Sequence, residues 1–393
     1  MPTSLCRATL FTPHGTIEPG TVVISDTGDI SYAGPSDTAP HASGLRLDLR
    51  GRIVAPGFID IHTHGGKGIN FYADDVDPEA IAEKLRSYAL WAAGNGVTGF
   101  LCSIAAPDAD RLRALIECYV EAFEAGVPGA EPLGLHLEGP FLSREEKGAF
   151  DPDWLREAAL EEAKAAIGVG RGWVRQMTLA PELPGADAVA GYLRGQGVVA
   201  SVGHTNAGYD TIRRALKGNF THVTHAFNAQ RGFHHREPGA IGAILTSDHV
   251  TAELIADTVH VHPGAMKLLV RGVSVGRVVL VTDANAAAGL PDGTYEIGGR
   301  RRIVENGRSV LEDGTIAGST ATMDTCVRNA NQIVGVPLPE AVRMASLNPA
   351  RAIGMAGRLG SLQEGKLANL IVTDRDLTIY LTLVRGEIVY RNL

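Results

Sequence analysis

Through the middle of the chain, short apolar runs alternate with segments of helical period. The runs are "GFIDIHTH", "TGFLCSI", "LGLHLEG", "RQMTLAPE", "VVASVGHT", "HVTHAFN", "AELIAD" and "RVVLVTDA". Each is short, rich in β-branched or other bulky apolar residues, and bounded by Gly, Pro, Asn or Asp, which predicts buried strands. Between them, "PEAIAEKLRSYALWAAGNG", "ADRLRALIECYVEAFEAG" and "PGAMKLLVRGV" place apolar residues at helical spacing. Helix-start residues precede these segments and Gly follows. Eight strands alternating with helices over about 300 residues predict a (β/α)8 TIM-type barrel. The alternative is a doubly wound open sheet, but no G-x-G-x-x-G turn follows an early strand.

The chain ends read differently. Residues 1–55 and 358–393 are short β-type runs broken by Gly, Pro and Asp, with little helical period. They predict a small β-sandwich domain built from both ends, with residues 56–357 as the barrel. Residues 286–318 form a long excursion after the eighth strand, with a hairpin pattern in "RRIVENGRSVLEDGTI". Excursions of that length in a compact domain are usually functional.

Strand phase locates the chemistry. In "FIDIHTH", His62 and His64 are two positions apart, so both rings leave one face at the strand's carboxyl end. In a barrel the carboxyl ends of all strands converge on one mouth. Those ends supply His62 and His64, then His136 and Glu138, His204, His222 and His225, and Asp283. Any one of them could be a local hydrogen-bonder. Imidazoles and carboxylates gathered at one mouth form the ligand set of a hydrolytic divalent metal. Glu138 lies nearer the mouth than His136, which leaves His136 a supporting role. His222 and His225 are three positions apart and face opposite ways in a regular strand, so His225 is the candidate ligand.

Composition narrows the partners. A net charge of −8 offers no basic field for nucleic acid. No apolar run has membrane-spanning length, and the N-terminal stretch lacks a signal-peptide pattern. The four cysteines, Cys6, Cys102, Cys118 and Cys326, form no C-x-x-C pair. They read as reduced thiols of a cytoplasmic protein.

Several blocks resemble the N-acetylglucosamine-6-phosphate deacetylase family of the amidohydrolase superfamily. They are "PGFIDIHTHG", "LHLEGPF", "VGHTNA", "THAFNA", "HHREPGAIGA", "VTDANAAAGLPDG", "AGSTATM" and "SLNPAR". The resemblance implies hydrolysis of the acetamide of N-acetyl-D-glucosamine 6-phosphate. It implies Glu138, His204 and His225 as metal ligands, with His62 and His64 as ligands of a second ion. One or two divalent ions per chain follow, zinc first, with iron, manganese or cobalt as the others. Asp283 matches the general base and acid. Asn228, Ala229 and Arg236 match contacts on the phosphate side, and Ala149 and Ile316 match further substrate contacts. His260 matches a histidine given to the neighbouring site of a homodimer.

This chain departs from the family pattern at Phe150, where many members have a histidine, at Thr258 in place of Gly, and at Asn285 in place of Met. Two rival functions share the fold. One is a deacetylase or cyclic amidohydrolase acting on another amino sugar, such as galactosamine 6-phosphate, or on an N-acyl amino acid. The other is a non-catalytic scaffold, which would not be expected to keep every ligand and the base.

Overall fold

The computed structural model of the chain describes residues 2–41, 43–72 and 76–393. The eight apolar runs of the middle region are the strands of one parallel sheet, neighbouring one another in sequence order. They are Phe58–Thr63, Val97–Ile104, Glu131–Glu138, Val174–Leu179, Val199–Val202, His222–Val223, Thr251–Ile255 and Val278–Val281. Helices cover the outer face and side chains fill the inner one, so these strands are buried on both sides. That accounts for their almost unbroken apolar character.

The helices follow from their sequence signals. Pro78–Gly94 starts behind Asp77, whose side chain accepts from Glu79 N, and Ala109–Ala125 behind Asp108, which accepts from Arg111 N. Caps of this kind each contribute about 1 kcal/mol. Leu85, Tyr88, Leu112, Ile116 and Tyr119 recur at helical spacing and pack with Phe100 into the main core.

The ring closes where the chemistry sits. Asp283 N donates to His62 O (2.8 Å), and His64 N donates to Ala284 O (2.8 Å). Just below, the Asp60 carboxylate accepts from the Thr282 hydroxyl and backbone N–H. Burial pushes the pKa of Asp60 up to about 7. The first and eighth strands are thus joined by the segments that present His62, His64 and Asp283.

Both chain ends form one eight-stranded sheet, apart from the barrel. Its first strand, Thr3–Thr12, pairs along one edge with Gly15–Ile24 and has two neighbours in turn along the other. Leu45–Asp48 pairs with its first half and Ile53–Pro56 with its second. The sheet therefore curls over a core of its own, including Leu5, Leu10, Val22, Val54, Leu370 and Leu381. Such enclosure is the sandwich arrangement expected of the chain ends. The excursion after the eighth barrel strand is a three-stranded antiparallel sheet of Gly293–Ile297, Arg300–Glu305 and Arg308–Leu311. Alternation along its middle strand turns Arg302 and Val304 inward, and Val304 packs with Ala286, Ala287 and Ile297. Among the described residues no helix is long and apolar enough to cross a membrane.

Candidate active site

Three key residues leave their strands through an unusual backbone. His204, His225 and Asp283 have φ of +45°, +27° and +48°. Non-glycine residues rarely adopt this left-handed region, and it is concentrated where function over-determines the chain. The sixth strand ends at Val223, so His225 lies beyond it. Its backbone N–H donates to the buried Glu253 carboxylate (3.0 Å), which fixes the turn that presents the ring.

Glu138 is the hub of the site. Its Oε1 lies 3.2 Å from His204 Nε2, 3.1 Å from His225 Nε2 and 3.4 Å from His62 Nε2. Its Oε2 lies 3.1 Å from His64 Nε2. Two buried groups result, Glu138 with His204 and His225, and Glu138 with His62 and His64.

The donor set fits a divalent metal. His204 Nδ1 donates to Glu146 O (2.8 Å), His64 Nδ1 to Ser103 O (3.0 Å) and His62 Nδ1 to the Glu253 carboxylate (2.8 Å). With each Nδ1 committed to an acceptor, Nε2 is the ring atom left to face the carboxylate or to ligate a metal once its proton is displaced. His204 and His225 bring two Nε2 atoms within 3.2 Å of each other. Ligand atoms around a tetrahedral ion are about 3.4 Å apart. A cation at the centre of such a set turns repulsion into coordination.

Electrostatics of the protein's own groups agree. Burial opposes charge on His62, but Glu253, Glu138 and Asp283 outweigh it and hold its pKa well above the usual imidazole range. His64 is pushed up to about 9, against the pull of burial, by Asp283 and Glu138. Burial would raise Glu138, yet His62, His204 and His225 hold it well below the carboxylate range. In Asp283 burial is likewise overcome by His62 and His64, and the pKa falls to about 2. Asp283 is therefore an ionised carboxylate, 3.2 Å from His64 Nε2.

Sequence reasoning missed the residue that orders these rings. Glu253 is fully buried and binds His62 Nδ1, His222 Nε2 (3.0 Å), Gln176 Nε2 (2.9 Å) and the backbone of His225. Its signal was a lone acid in an apolar strand, "TAELI". His136 bridges Ser103 (2.9 Å) and Thr178 (2.8 Å) behind the cluster, and burial with the neighbouring His62 keeps its pKa well below normal.

A cavity of about 510 Å³ opens above the cluster. Its lining includes His64, Glu138, His204, His225 and Asp283, and also Ala149, Asn228, Ala229, His260 and Ile316. Phe150 and three arginines, Arg111, Arg300 and Arg302, line it too. His62 lies beneath, fully buried. His260 is held inward by Asp257 (2.6 Å), its side chain 6% exposed, and it lines its own chain's cavity. Arg236 stands outside the cavity lining, exposed on the same loop as Phe233.

The other departures have local roles. Asn285 donates to Ser309 Oγ (3.0 Å) and Ala317 O (2.7 Å), tying the barrel mouth to the excursion. Thr258 takes a φ of +67°, a conformation that glycine adopts without strain.

With that geometry in place, the chain's likeness to known proteins is specific. The amidohydrolase family model matches residues 53–389. The chain belongs to the amidohydrolase family. Within it, the chain is 35% identical over 370 residues to the N-acetylglucosamine-6-phosphate deacetylase of Vibrio furnissii, covering 94% of this chain and 90% of that protein. It is 37% identical over 336 residues to the N-acetylgalactosamine-6-phosphate deacetylase of Escherichia coli O157:H7, covering 86% and 87%. Among solved structures, a variant of the Mycobacterium smegmatis N-acetyl-D-glucosamine-6-phosphate deacetylase in complex with N-acetyl-D-glucosamine-6-phosphate superposes with a TM-score of 0.90. That pair shares 35% identity, with 99% of each chain covered.

Proposed function

We propose that the chain hydrolyses the acetamide of N-acetyl-D-glucosamine 6-phosphate to D-glucosamine 6-phosphate and acetate, in amino-sugar catabolism or cell-wall recycling. The observation that carries this reading is the Asp283 carboxylate, 3.2 Å from His64 Nε2, beside a five-ligand cluster that opens on a cavity of about 510 Å³. The two ligand groups share Glu138, which favours two ions per chain, zinc first among divalent metals. When bound, metal of this kind supplies an acidified water and positive charge for the carbonyl.

The protein's own groups do the rest. Asp283 takes the proton of the attacking water and returns it to the amide nitrogen, so the C–N bond breaks toward a neutral amine. Glu253 holds His62 in one tautomer and fixes the turn at His225. On the cavity wall, Asn228 and Ala229 with Ala149, Ile316 and His260 hold the sugar phosphate. Arg236, exposed beside a 55% exposed Phe233, reaches the phosphate from a second copy in a homodimer. The four free, buried cysteines suit a reducing cytoplasm.

The galactosamine epimer is the second reading, favoured by the 37% identical Escherichia coli O157:H7 relative. The test is acetate release from both epimers, each with and without the 6-phosphate. Turnover of a sugar phosphate at least tenfold above its unphosphorylated form supports the reading. Equal rates would overturn it.

A further inference from the structure

Phe150 sets its ring edge-on to His204, with centroids 5.2 Å apart and planes at 77°, and its side chain offers the cavity no hydrogen-bond donor. The acyl oxygen of an amide gains negative charge as its carbon becomes tetrahedral. A preorganised donor aimed at that oxygen often gives the largest single contribution to rate.

Such a donor stands beside His64. The ring of Tyr72 stacks on the His64 imidazole, with centroids 4.9 Å apart and planes at 17°. The stack fixes the phenol oxygen 3.5 Å from His64 Nε2. That nitrogen is in turn 3.1 Å from Glu138 Oε2 and 3.2 Å from Asp283 Oδ1. The hydroxyl thus shares the His64 Nε2 atom as a neighbour with Glu138 and Asp283. Its contact to His64 is at the outer limit of a hydrogen bond, and it is the sole hydrogen-bond contact of this hydroxyl among the described residues. The donor is held in place without a good acceptor of its own.

Arg302 strengthens the same wall. It is 9% exposed, its Nη1 is tied to Ala317 O, and its Nε has no partner among the described residues. No carboxylate lies within ion-pair distance of it among the described residues. A buried guanidinium lining the cavity beside Tyr72 favours negative charge there.

We propose that Tyr72 is a further catalytic residue, whose hydroxyl donates a hydrogen bond to the acyl oxygen as that oxygen becomes anionic. It fills the role Phe150 cannot fill. The O–H bond stays intact throughout; the proton that moves is the one carried by Asp283. The proposal rests on the amide-hydrolase reading above.

The experiment compares Tyr72→Phe with the metal-loaded parent, using turnover of N-acetylglucosamine 6-phosphate and two binding measurements. The probes are the methylphosphonamidate analogue of that substrate, which mimics the tetrahedral state, and the product glucosamine 6-phosphate. Loss of the hydroxyl should lower kcat roughly 100- to 1,000-fold. KM should stay within about threefold, because the interaction is made late. Analogue affinity should fall in step with kcat/KM, while product affinity, metal content and Tm stay at parental values. Phe150→His should recover at least tenfold in the Tyr72→Phe background and help the parent less. Unchanged kcat, or analogue and product affinities falling together, would overturn the role of Tyr72 and leave the functional reading standing. A parent that neither hydrolyses the sugar phosphate nor binds its analogue would overturn both.

Discussion

Single residues set the protonation of this site, and Glu253 has the widest reach. It is buried, and His62 and His222 hold its carboxyl well below the usual range despite the opposing effect of burial. Glu253→Gln keeps the shape but cannot accept from His62 and His222 at once as an anion does. Metal affinity should fall about 10- to 100-fold, with the fold retained, as measured by competition against a chelating dye. Unaltered affinity would reduce Glu253 to a packing role. His64 gives a pH signature. Its pKa in the folded, metal-free protein is about 9, above the 6.5 of a free imidazole. The resulting stability is fully present below pH 6.5 and is lost as pH rises through 9. Chelated protein should therefore become easier to unfold with denaturant across that window, and metal should bind more tightly as its competing proton leaves. Metal-loaded protein should lack the slope. Parallel slopes with and without metal would remove His64 from the ligand set. These residues differ in how legible they were. His62, His64, Glu138, His204 and Asp283 announced themselves by position at strand ends. Glu253 did not, because one acid inside an apolar strand has no motif and gains meaning only when four partners converge on it.

At the scale of elements, the eight strands were legible because burial on both faces leaves a continuous apolar run. Their ends were not. Phase along the sixth strand singled out His225, yet the strand stops at Val223 and a turn anchored by Glu253 does the presenting. Tyr72 and Arg302 were equally hidden, since segments outside the barrel strands take their course from tertiary contacts. One such contact holds Asp283. Ser319 N donates to Asp283 O (2.7 Å), and Gly318 before it has φ of +66°. A Cβ at Gly318 would stand 3.0 Å from Asp283 O and 3.2 Å from Asn285 Cβ. Gly318→Ala should destabilise the protein by about 1–3 kcal/mol, because it adds a left-handed strain to that crowding. It should also lower kcat by displacing Asp283, without changing metal content. Denaturant unfolding and steady-state kinetics read the two effects. Loss of stability with intact kcat would show that this segment supports the fold alone.

At the scale of the molecule, the position of Arg236 bears on assembly. The sequence grouped Arg236 and His260 with the substrate contacts and gave His260 to the neighbour. In the folded chain His260 lines its own cavity beside Asp257, and Arg236 lies outside that lining with an exposed Phe233. Which surface residue meets a second copy is not written in strand period or motif spacing, because it depends on how loops project from the finished barrel. If Arg236 serves the opposite site of a homodimer, two impaired variants should complement at low substrate. Asp283→Asn alone should cost about 10²- to 10⁴-fold in turnover, the range for a lost general base, and keep its metal. Arg236→Ala should chiefly raise KM for the phosphorylated substrate. Refolding the two together in equal amounts gives mixed dimers in about half of the population. In each mixed dimer one site has its own Asp283 and its partner's Arg236, while the other has neither. About a quarter of parental activity at low substrate should return. A mixed dimer, verified by differential tagging, that shows no gain would place Arg236 in its own chain's site. The loop would then have to close over the cavity.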